Sequence, residues 1–239
     1  MNILFAGSSK SSSKILEFLS KEKSIKINGV ITQPDKRRKR GPELFESEVS
    51  KTADRFNQKI FKPNNLNDID FEKEITKLQI DLIIVIAYGR IIPNWMLSLP
   101  KIMSLNVHFS ILPKYRGASP IQSSLINGDK ETGVSFMQMT ERLDEGDLIL
   151  TASTLINEED NRISLETKLT DLAIKNILNV LTQLENKSAS ITKQDNSAAT
   201  YCKKINSEDS ITDFNDYAEN IINKFKAYFE WPGLSFIHK

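Results

Sequence analysis

The hydrophobic positions near the amino terminus predict a strand, a helix and a second strand in close succession. An apolar run covers residues 2–6, and Gly7 then turns the chain. Apolar residues recur at positions 15, 16, 18 and 19 behind a cluster of serines that can cap a helix. A second strand-like run covers residues 25–31. This order is typical of a parallel sheet with a right-handed crossover.

Predicted strands and helices continue to follow one another along most of the chain. The run over 80–87 is apolar with almost no polar interruption, which favours a strand buried on both faces of a parallel sheet. Apolar residues at helical spacing predict the longest helix over 163–185. A further helix is predicted over 71–79, and further strands over 102–108, 133–139 and 148–156. We therefore expect an α/β fold, a Rossmann-like parallel or mixed sheet with helices on both faces.

The composition changes near residue 186. Residues 186–199 are polar and rich in Ser, Ala, Lys and Asn, as is typical of a linker. A last helix is predicted over 215–229, and Pro232 with Gly233 stops it. The expected organisation is a main domain over 1–185, a linker over 186–200, and a short helix-and-strand remnant of a second domain over 201–239.

Composition narrows the classes of function. The chain has 239 residues, 39% of them hydrophobic, and a net charge of +1, so a nucleic-acid partner would need a local basic surface. One candidate exists, a run of five consecutive cations: Lys36, Arg37, Arg38, Lys39 and Arg40. Such runs are usually solvated loops, but here the run concentrates charge that suits phosphate contacts. Both interpretations stand at this point.

Several other classes are disfavoured. Gly7 has no glycine-rich dinucleotide motif around it, so NAD is not expected. A single cysteine, Cys202, excludes an internal disulfide and favours a reducing cytoplasm; we interpret this cysteine as a passive residue. With two histidines, His108 and His238, and one cysteine, the chain has few of the side chains that bind zinc, and no metal is expected. The longest apolar run is too short to cross a bilayer, so no membrane partner is expected.

Two polar residues end the strand predicted over 102–108. Asn106 and His108 are two positions apart, so their side chains point to the same face. Ligands of open α/β sheets bind beyond the carboxyl ends of strands, which makes the pair a candidate site. A buried histidine satisfied by hydrogen bonds is the alternative, and periodicity does not decide between them.

A charged segment over 141–147 lies between two predicted strands. It can be a solvated turn, or it can bring a carboxylate to His108 and orient the imidazole. Spacing alone does not choose between Asp144 and Asp147.

Five stretches together resemble the methionyl-tRNA formyltransferase family. They cover residues 31–35, 87–93, 105–122, 133–139 and 143–147. The combination Asn-x-His, Ser-x-x-Pro and Leu-Asp-x-Gly-Asp is specific to folate-dependent formyltransferases as a group. The Gln-Pro-Asp and Arg-Gly-Ala-Ser-Pro-Ile-Gln stretches are similar to the tRNA enzyme in particular. Residues 201–214 and 226–233 resemble the start of that family's C-terminal portion.

The resemblance implies roles for the candidate residues. The family's catalytic Asn, His and Asp fall on Asn106, His108 and Asp144. Its folate-contacting segment falls on Ser110, Ile111, Leu112 and Pro113. Its basic loop, which reaches the tRNA acceptor end, falls on the region from Lys36 to Arg40.

The resemblance also implies a reaction. The chain is expected to transfer a formyl group from 10-formyltetrahydrofolate to the α-amine of initiator methionyl-tRNA, as a cytoplasmic monomer without a metal. Asn106 and His108 would donate hydrogen bonds to the formyl oxygen as it gains charge, and Asp144 would hold His108. The alternatives are formylation of an amino sugar nucleotide and a non-catalytic folate- or RNA-binding remnant.

The sequence departs from the family pattern at three places. Gly7-Ser8-Ser9 stands where the family has Gly-Thr-Pro, and Ile111 replaces a usual leucine. The family continues into a β-barrel domain, whereas this sequence stops at Lys239, too early for a barrel to close. We therefore expect weaker tRNA binding than in a longer relative.

Overall fold

The protein is described by a computed structural model that covers residues 1–37 and 44–237. The strands in these ranges are β1 (Asn2–Gly7), β2 (Lys26–Ile31), β3 (Lys36–Arg37), β4 (Leu44–Phe45), β5 (Ile60–Phe61), β6 (Leu82–Ile86), β7 (Met103–His108), β8 (Arg116–Gly117), β9 (Glu131–Gln138), β10 (Leu148–Leu155) and β11 (Tyr201–Cys202). The α-helices are α1 (Lys10–Lys21), α2 (Glu48–Arg55), α3 (Ile69–Thr76), α4 (Asn94–Leu97), α5 (Pro120–Ile126), α6 (Arg162–Glu185) and α7 (Ala218–Ala227).

One mixed sheet of seven strands forms the centre of the protein, in the order β10-β9-β7-β6-β1-β2-β5. The five strands from β7 to β5 in that order run parallel to their neighbours. The last two, β9 and β10, are antiparallel and form a hairpin at one edge. The pairing of β7 with β9 sets His108 opposite Ser135. The predicted α/β fold with a mixed sheet is confirmed.

Alternate residues of the central strands feed two separate cores, because successive side chains of a strand point to opposite faces. In β1, Ile3 and Phe5 join the core shared with α1, α2, α5 and α6. Leu4 and Ala6 join the core on the opposite face, which includes α3 and α4. All five residues of β6 are buried, as the unbroken apolar run predicts. Helices therefore cover both faces of the sheet.

Side-chain caps explain where the helices begin. Ser9 accepts a hydrogen bond from the Ser12 backbone N–H at the start of α1, which confirms the expected serine cap. Asn161 caps α6 in a capping box, and α6 begins one residue before the predicted helix. The helix predicted over 71–79 instead begins at Ile69, because Asp68 accepts from two backbone N–H groups of its first turn.

Residues after 185 pack against the domain that precedes them. Leu148 exchanges two backbone hydrogen bonds with Thr192, and β11 pairs with β8 in parallel. Helix α7 lies against α5, and its Ala227 is fully buried. The segment predicted as a linker therefore follows the surface of the main domain, and the proposed domain boundaries stay a prediction. Within the described ranges, none of the helices has the length and hydropathy needed to span a membrane.

Candidate functional site

Asn106 and His108 lie on one face of β7, near its carboxyl end. The imidazole of His108 is 6% exposed, and Asn106 is half-buried. A third side chain, Asp144, reaches both from the loop between β9 and β10. Its Oδ1 lies 3.4 Å from Asn106 Nδ2, which donates to it, and its Oδ2 lies 3.7 Å from His108 Nδ1. The structure thus brings together three polar residues from two separate parts of the chain.

Both ring nitrogens of His108 have neighbours. Nε2 lies 2.8 Å from the backbone carbonyl oxygen of Tyr115. A carbonyl oxygen only accepts, so the proton of this bond belongs to Nε2. Nδ1 faces the Asp144 carboxylate, with 3.7 Å between Nδ1 and Oδ2. The ring is therefore held between a backbone carbonyl on one side and a carboxylate on the other.

The structure places Asp144 at this point through its backbone as well as its side chain. The backbone N–H of Gly117 donates to Asp144 Oδ2 at 2.8 Å. Asp144 itself has a φ of 53°, in the left-handed region that aspartate tolerates better than most residues. Asp147 instead uses its backbone carbonyl, which accepts from Gln138 N–H in the hairpin. Among the described residues, the ion pairs of His108 include Asp144 and not Asp147.

The segment from Ser110 to Pro113 follows β7 directly and is fastened to β9. The Ser135 hydroxyl donates to the Ser110 carbonyl at 2.8 Å and accepts from the Leu112 N–H at 3.0 Å. Ser110 Oγ closes the turn by donating to the Lys114 carbonyl, and the Leu112–Pro113 peptide bond is cis. Ile111 is half-buried. The segment therefore forms a fixed ledge beside His108.

Two cavities lie along β7 and the segment that follows it. One of about 390 Å³ is lined by Leu97, Ile102, Ser104, Gln138 and Met139, among others. Ser104 is on the same face of β7 as Asn106 and precedes it by two residues. The other cavity, of about 360 Å³, borders Ile111 and Lys114. At its wall, burial and the hydrogen bond to Asp129 raise the pKa of Tyr115 to about 12.

A second polar network, which the sequence reasoning did not identify, lies behind Asp144. Arg116 is 1% exposed, and its guanidinium donates to the side-chain oxygens of Gln194 and Asn196. Its Nη1 lies 3.5 Å from the Glu145 carboxylate. The Gln194 amide in turn donates to the carbonyls of Asp144 and Gly146. The signal available in the sequence was Arg116 itself, within the family-like stretch Arg-Gly-Ala-Ser-Pro-Ile-Gln.

The predicted basic loop lies partly outside the described residues. Lys36 and Arg37 form β3, which pairs with β4 so that Lys36 lies opposite Phe45 and Arg37 opposite Leu44. Arg38, Lys39 and Arg40 lie outside the described residues. The phosphate-binding role of this run stays a prediction.

Cys202 is a neighbour of the cluster and not a member of it. Its thiol donates to the Tyr115 carbonyl at 3.3 Å, and its sulfur accepts from the Ser119 N–H. Burial raises the pKa of the thiol, which disfavours the nucleophilic thiolate. In the part of the chain that the structure describes, no group of three or more His, Cys, Asp or Glu side chains is placed to hold a metal ion.

Known proteins are similar to this chain in sequence and in fold. The formyl transferase family matches residues 1–181. A methionyl-tRNA formyltransferase of Buchnera aphidicola is 38% identical over 232 residues, which cover 97% of this chain and 71% of that protein. A methionyl-tRNA formyltransferase of Mycoplasmopsis pulmonis is 38% identical over 238 residues, covering 99% of this chain and 81% of that protein.

Solved structures are similar at lower sequence identity. The crystal structure of WlaRD, a sugar 3N-formyl transferase in the presence of dTDP and 5-N-formyl-THF, has a TM-score of 0.73 and 22% identity. The match covers 100% of this chain and 83% of that one. At this identity the likeness supports the fold alone.

Proposed function

The chain belongs to the methionyl-tRNA formyltransferases of the formyl transferase family, and we propose that it transfers a formyl group from 10-formyltetrahydrofolate to the α-amine of initiator methionyl-tRNA. The observation that carries this proposal is the cluster of Asn106, His108 and Asp144 at the end of β7. Translation begins in the cytoplasm, and we propose that the protein acts there as a monomer.

The cluster suits the chemistry of this transfer. The α-amine attacks the formyl carbon, a C–N bond forms, and negative charge develops on the formyl oxygen. The Asn106 amide and the His108 ring can donate hydrogen bonds to this oxygen, and one such donor is typically worth about 3–4 kcal/mol in the transition state. The bond from the formyl carbon to the folate nitrogen then breaks, and the proton lost by the amine passes to that nitrogen.

His108 needs a free N–H to serve in this way. Its Nε2 is held at 2.8 Å by the Tyr115 carbonyl, and its Nδ1 faces Asp144. We propose that substrate binding replaces the contact with the Tyr115 carbonyl, so that Nε2–H turns to the formyl oxygen. Asp144 then keeps the ring oriented from the other side, and its carboxylate can help to move the proton that the amine loses.

We propose one binding region for the pterin of the folate and another for the rest of the molecule. The cavity of about 390 Å³ beside Ser104 is lined by both apolar side chains, such as Met139, and polar ones, such as Gln138, and we place the pterin there. The ledge formed by Ser110, Ile111, Leu112 and Pro113 then contacts the remainder of the folate. The crystal structure of WlaRD in the presence of 5-N-formyl-THF supports a folate in this fold.

The tRNA is proposed as the acceptor because the tRNA enzymes are the more similar proteins. They are 38% identical, whereas the sugar formyltransferase is 22% identical. Formylation of an amino sugar nucleotide is the second candidate, favoured by the structural likeness to WlaRD, a sugar 3N-formyl transferase. The run from Lys36 to Arg40 supports the tRNA, because phosphate contacts supply affinity without reading sequence.

Incubation with 10-formyltetrahydrofolate and either methionyl-tRNA or an amino sugar nucleotide tests the proposal. We expect formylmethionyl-tRNA from the wild-type protein and from His238→Ala, and none from His108→Ala. The two histidines are the two that the chain has, so the second variant is a matched control. Formylation of the sugar alone, or of neither acceptor, would overturn the proposal.

A further inference from the structure

We propose that Gln194 is a positioning residue for formyl transfer, which sets the backbone of the loop that carries Asp144. The inference rests on the proposed function of the Asn106, His108 and Asp144 cluster. Gln194 lies in the polar segment that the sequence indicates as a linker, far along the chain from the residues it contacts.

The amide of Gln194 is fully satisfied, and its orientation is fixed by its partners. Oε1 accepts from Arg116 Nε at 3.1 Å and from Arg116 Nη2 at 2.9 Å. Nε2 donates to the Asp144 carbonyl at 2.9 Å and to the Gly146 carbonyl at 2.7 Å. A guanidinium only donates and a carbonyl only accepts, so the amide cannot be reversed. A side chain with one acceptor end and one donor end is therefore required here.

Arg116 anchors this amide from within the protein. Its side chain is buried. Nη2 also donates to the Asn196 side chain, and Nη1 donates to the Tyr201 hydroxyl and is paired with Glu145. Hydrogen bonds to a charged donor are stronger than those between neutral groups, and a buried guanidinium is costly to leave unpaired. The network thus gives Gln194 a rigid base.

Gln194 holds the backbone of the Asp144 loop, while Gly117 holds its carboxylate. The two carbonyls that Gln194 ties together flank Glu145, and Asp144, which carries the first of them, has a positive φ. The Asp144 carboxylate receives the Gly117 N–H. Within the described residues, the hydrogen bonds of the Gln194 side chain go to Arg116, Asp144 and Gly146, so it acts on Asn106 and His108 through Asp144.

The variant Gln194→Glu tests this role with a minimal change of shape. The new carboxylate can still accept from Arg116, but it cannot donate to the two carbonyls and repels them. Displacement of Asp144 by about 1 Å is expected to lower kcat about a hundredfold. The KM values for folate and methionyl-tRNA and the melting temperature should stay close to wild type. Gln183→Glu, the same change at an amide on α6 that donates to Asn179, is the control.

A spectroscopic readout separates positioning from general damage. In a His238→Asn background the His108 ring gives the one imidazole signal of the chain. We expect its Cε1–H resonance in Gln194→Glu to move toward its position in Asp144→Ala, and to stay unmoved in Gln183→Glu. Gln194→Met, which is neutral and apolar, should move it in the same direction, and it replaces the first variant if that variant unfolds.

Failure of the inference about Gln194 can be distinguished from failure of the proposed function. Wild-type protein without formyltransferase activity would reject the proposed function, whatever the resonances do. Active wild-type protein with a normal kcat and an unmoved His108 resonance in both Gln194 variants would overturn the inference. A loss of kcat matched by an equal loss in Gln183→Glu would also overturn it.

Discussion

Asp144 Oδ2 lies 3.7 Å from Nδ1 of His108 and accepts the Gly117 N–H at 2.8 Å. One carboxylate oxygen therefore ties the strand β7 to the short strand β8 as well as facing the imidazole. The other oxygen accepts from Asn106. Through these two oxygens Asp144 connects the hairpin loop to Asn106, His108 and Gly117.

Asp144→Asn should remove the charge at His108 with little change of shape. Loss of a positioned charge partner and proton-transfer group is expected to lower kcat for formyl transfer about a hundredfold or more. The measurement is single-turnover formylation of methionyl-tRNA. Asp147→Asn is the control, and its rate should match wild type, because Asp147 contributes a backbone carbonyl to the hairpin. Equal rates in the two variants would contradict the assignment of Asp144.

Ser135→Ala should loosen the ledge from Ser110 to Pro113. It leaves the Ser110 carbonyl and the Leu112 N–H without the buried hydroxyl that bonds both, which typically costs about 1–3 kcal/mol. We expect this loss in chemical unfolding, together with a raised KM for folate and a normal KM for methionyl-tRNA. Ser153→Ala, on the exposed side of β10, should change neither. A normal KM for folate in Ser135→Ala would show that the ledge does not contribute to folate binding.

Gly146→Ala should displace the loop that carries Asp144. A Cβ at this position would meet the Gln138 carbonyl oxygen at 1.7 Å, so the backbone must shift. The expected destabilisation is about 1–3 kcal/mol, with a large loss of formylation.

Gly233→Ala is the matched comparison for this glycine, because its Cβ would meet open space while its φ is +79°. It should lose some stability from backbone strain and keep its activity. A Gly146→Ala protein with full activity would show that the loop can move without harm to the site.

Asp160→Asn should lower stability in a pH-dependent manner. Burial raises the pKa of this carboxyl, but the Lys168 ammonium, the Asn157 N–H and the Ser164 hydroxyl lower it further, so the net pKa lies below its usual value. A depressed folded-state pKa stabilises the protein above the unfolded pKa of about 3.9 and loses this effect as pH falls through the folded value. The difference in unfolding free energy should therefore be full at pH 7 and vanish in acid. Asp171→Asn, which is exposed on α6, should show no such difference.

The sequence by itself determined much of the fold. The unbroken apolar run of β6 and the helical spacing of α6 are local patterns, and each led to an element at nearly the predicted bounds. The period of a strand also put Asn106 and His108 on one face. Short elements such as α4, β8 and β11 have too few residues to show a period, and they were not predicted.

Only the tertiary structure decided which groups meet. Spacing left Asp144 and Asp147 equal, and the hairpin geometry brings Asp144 to His108. The contacts of Arg116 with Gln194, and of Gln194 with the Asp144 loop, join parts of the chain that no periodicity relates. They depend on the order of strands in the sheet and on where residues after 185 pack, which are properties of the whole fold and not of any local segment.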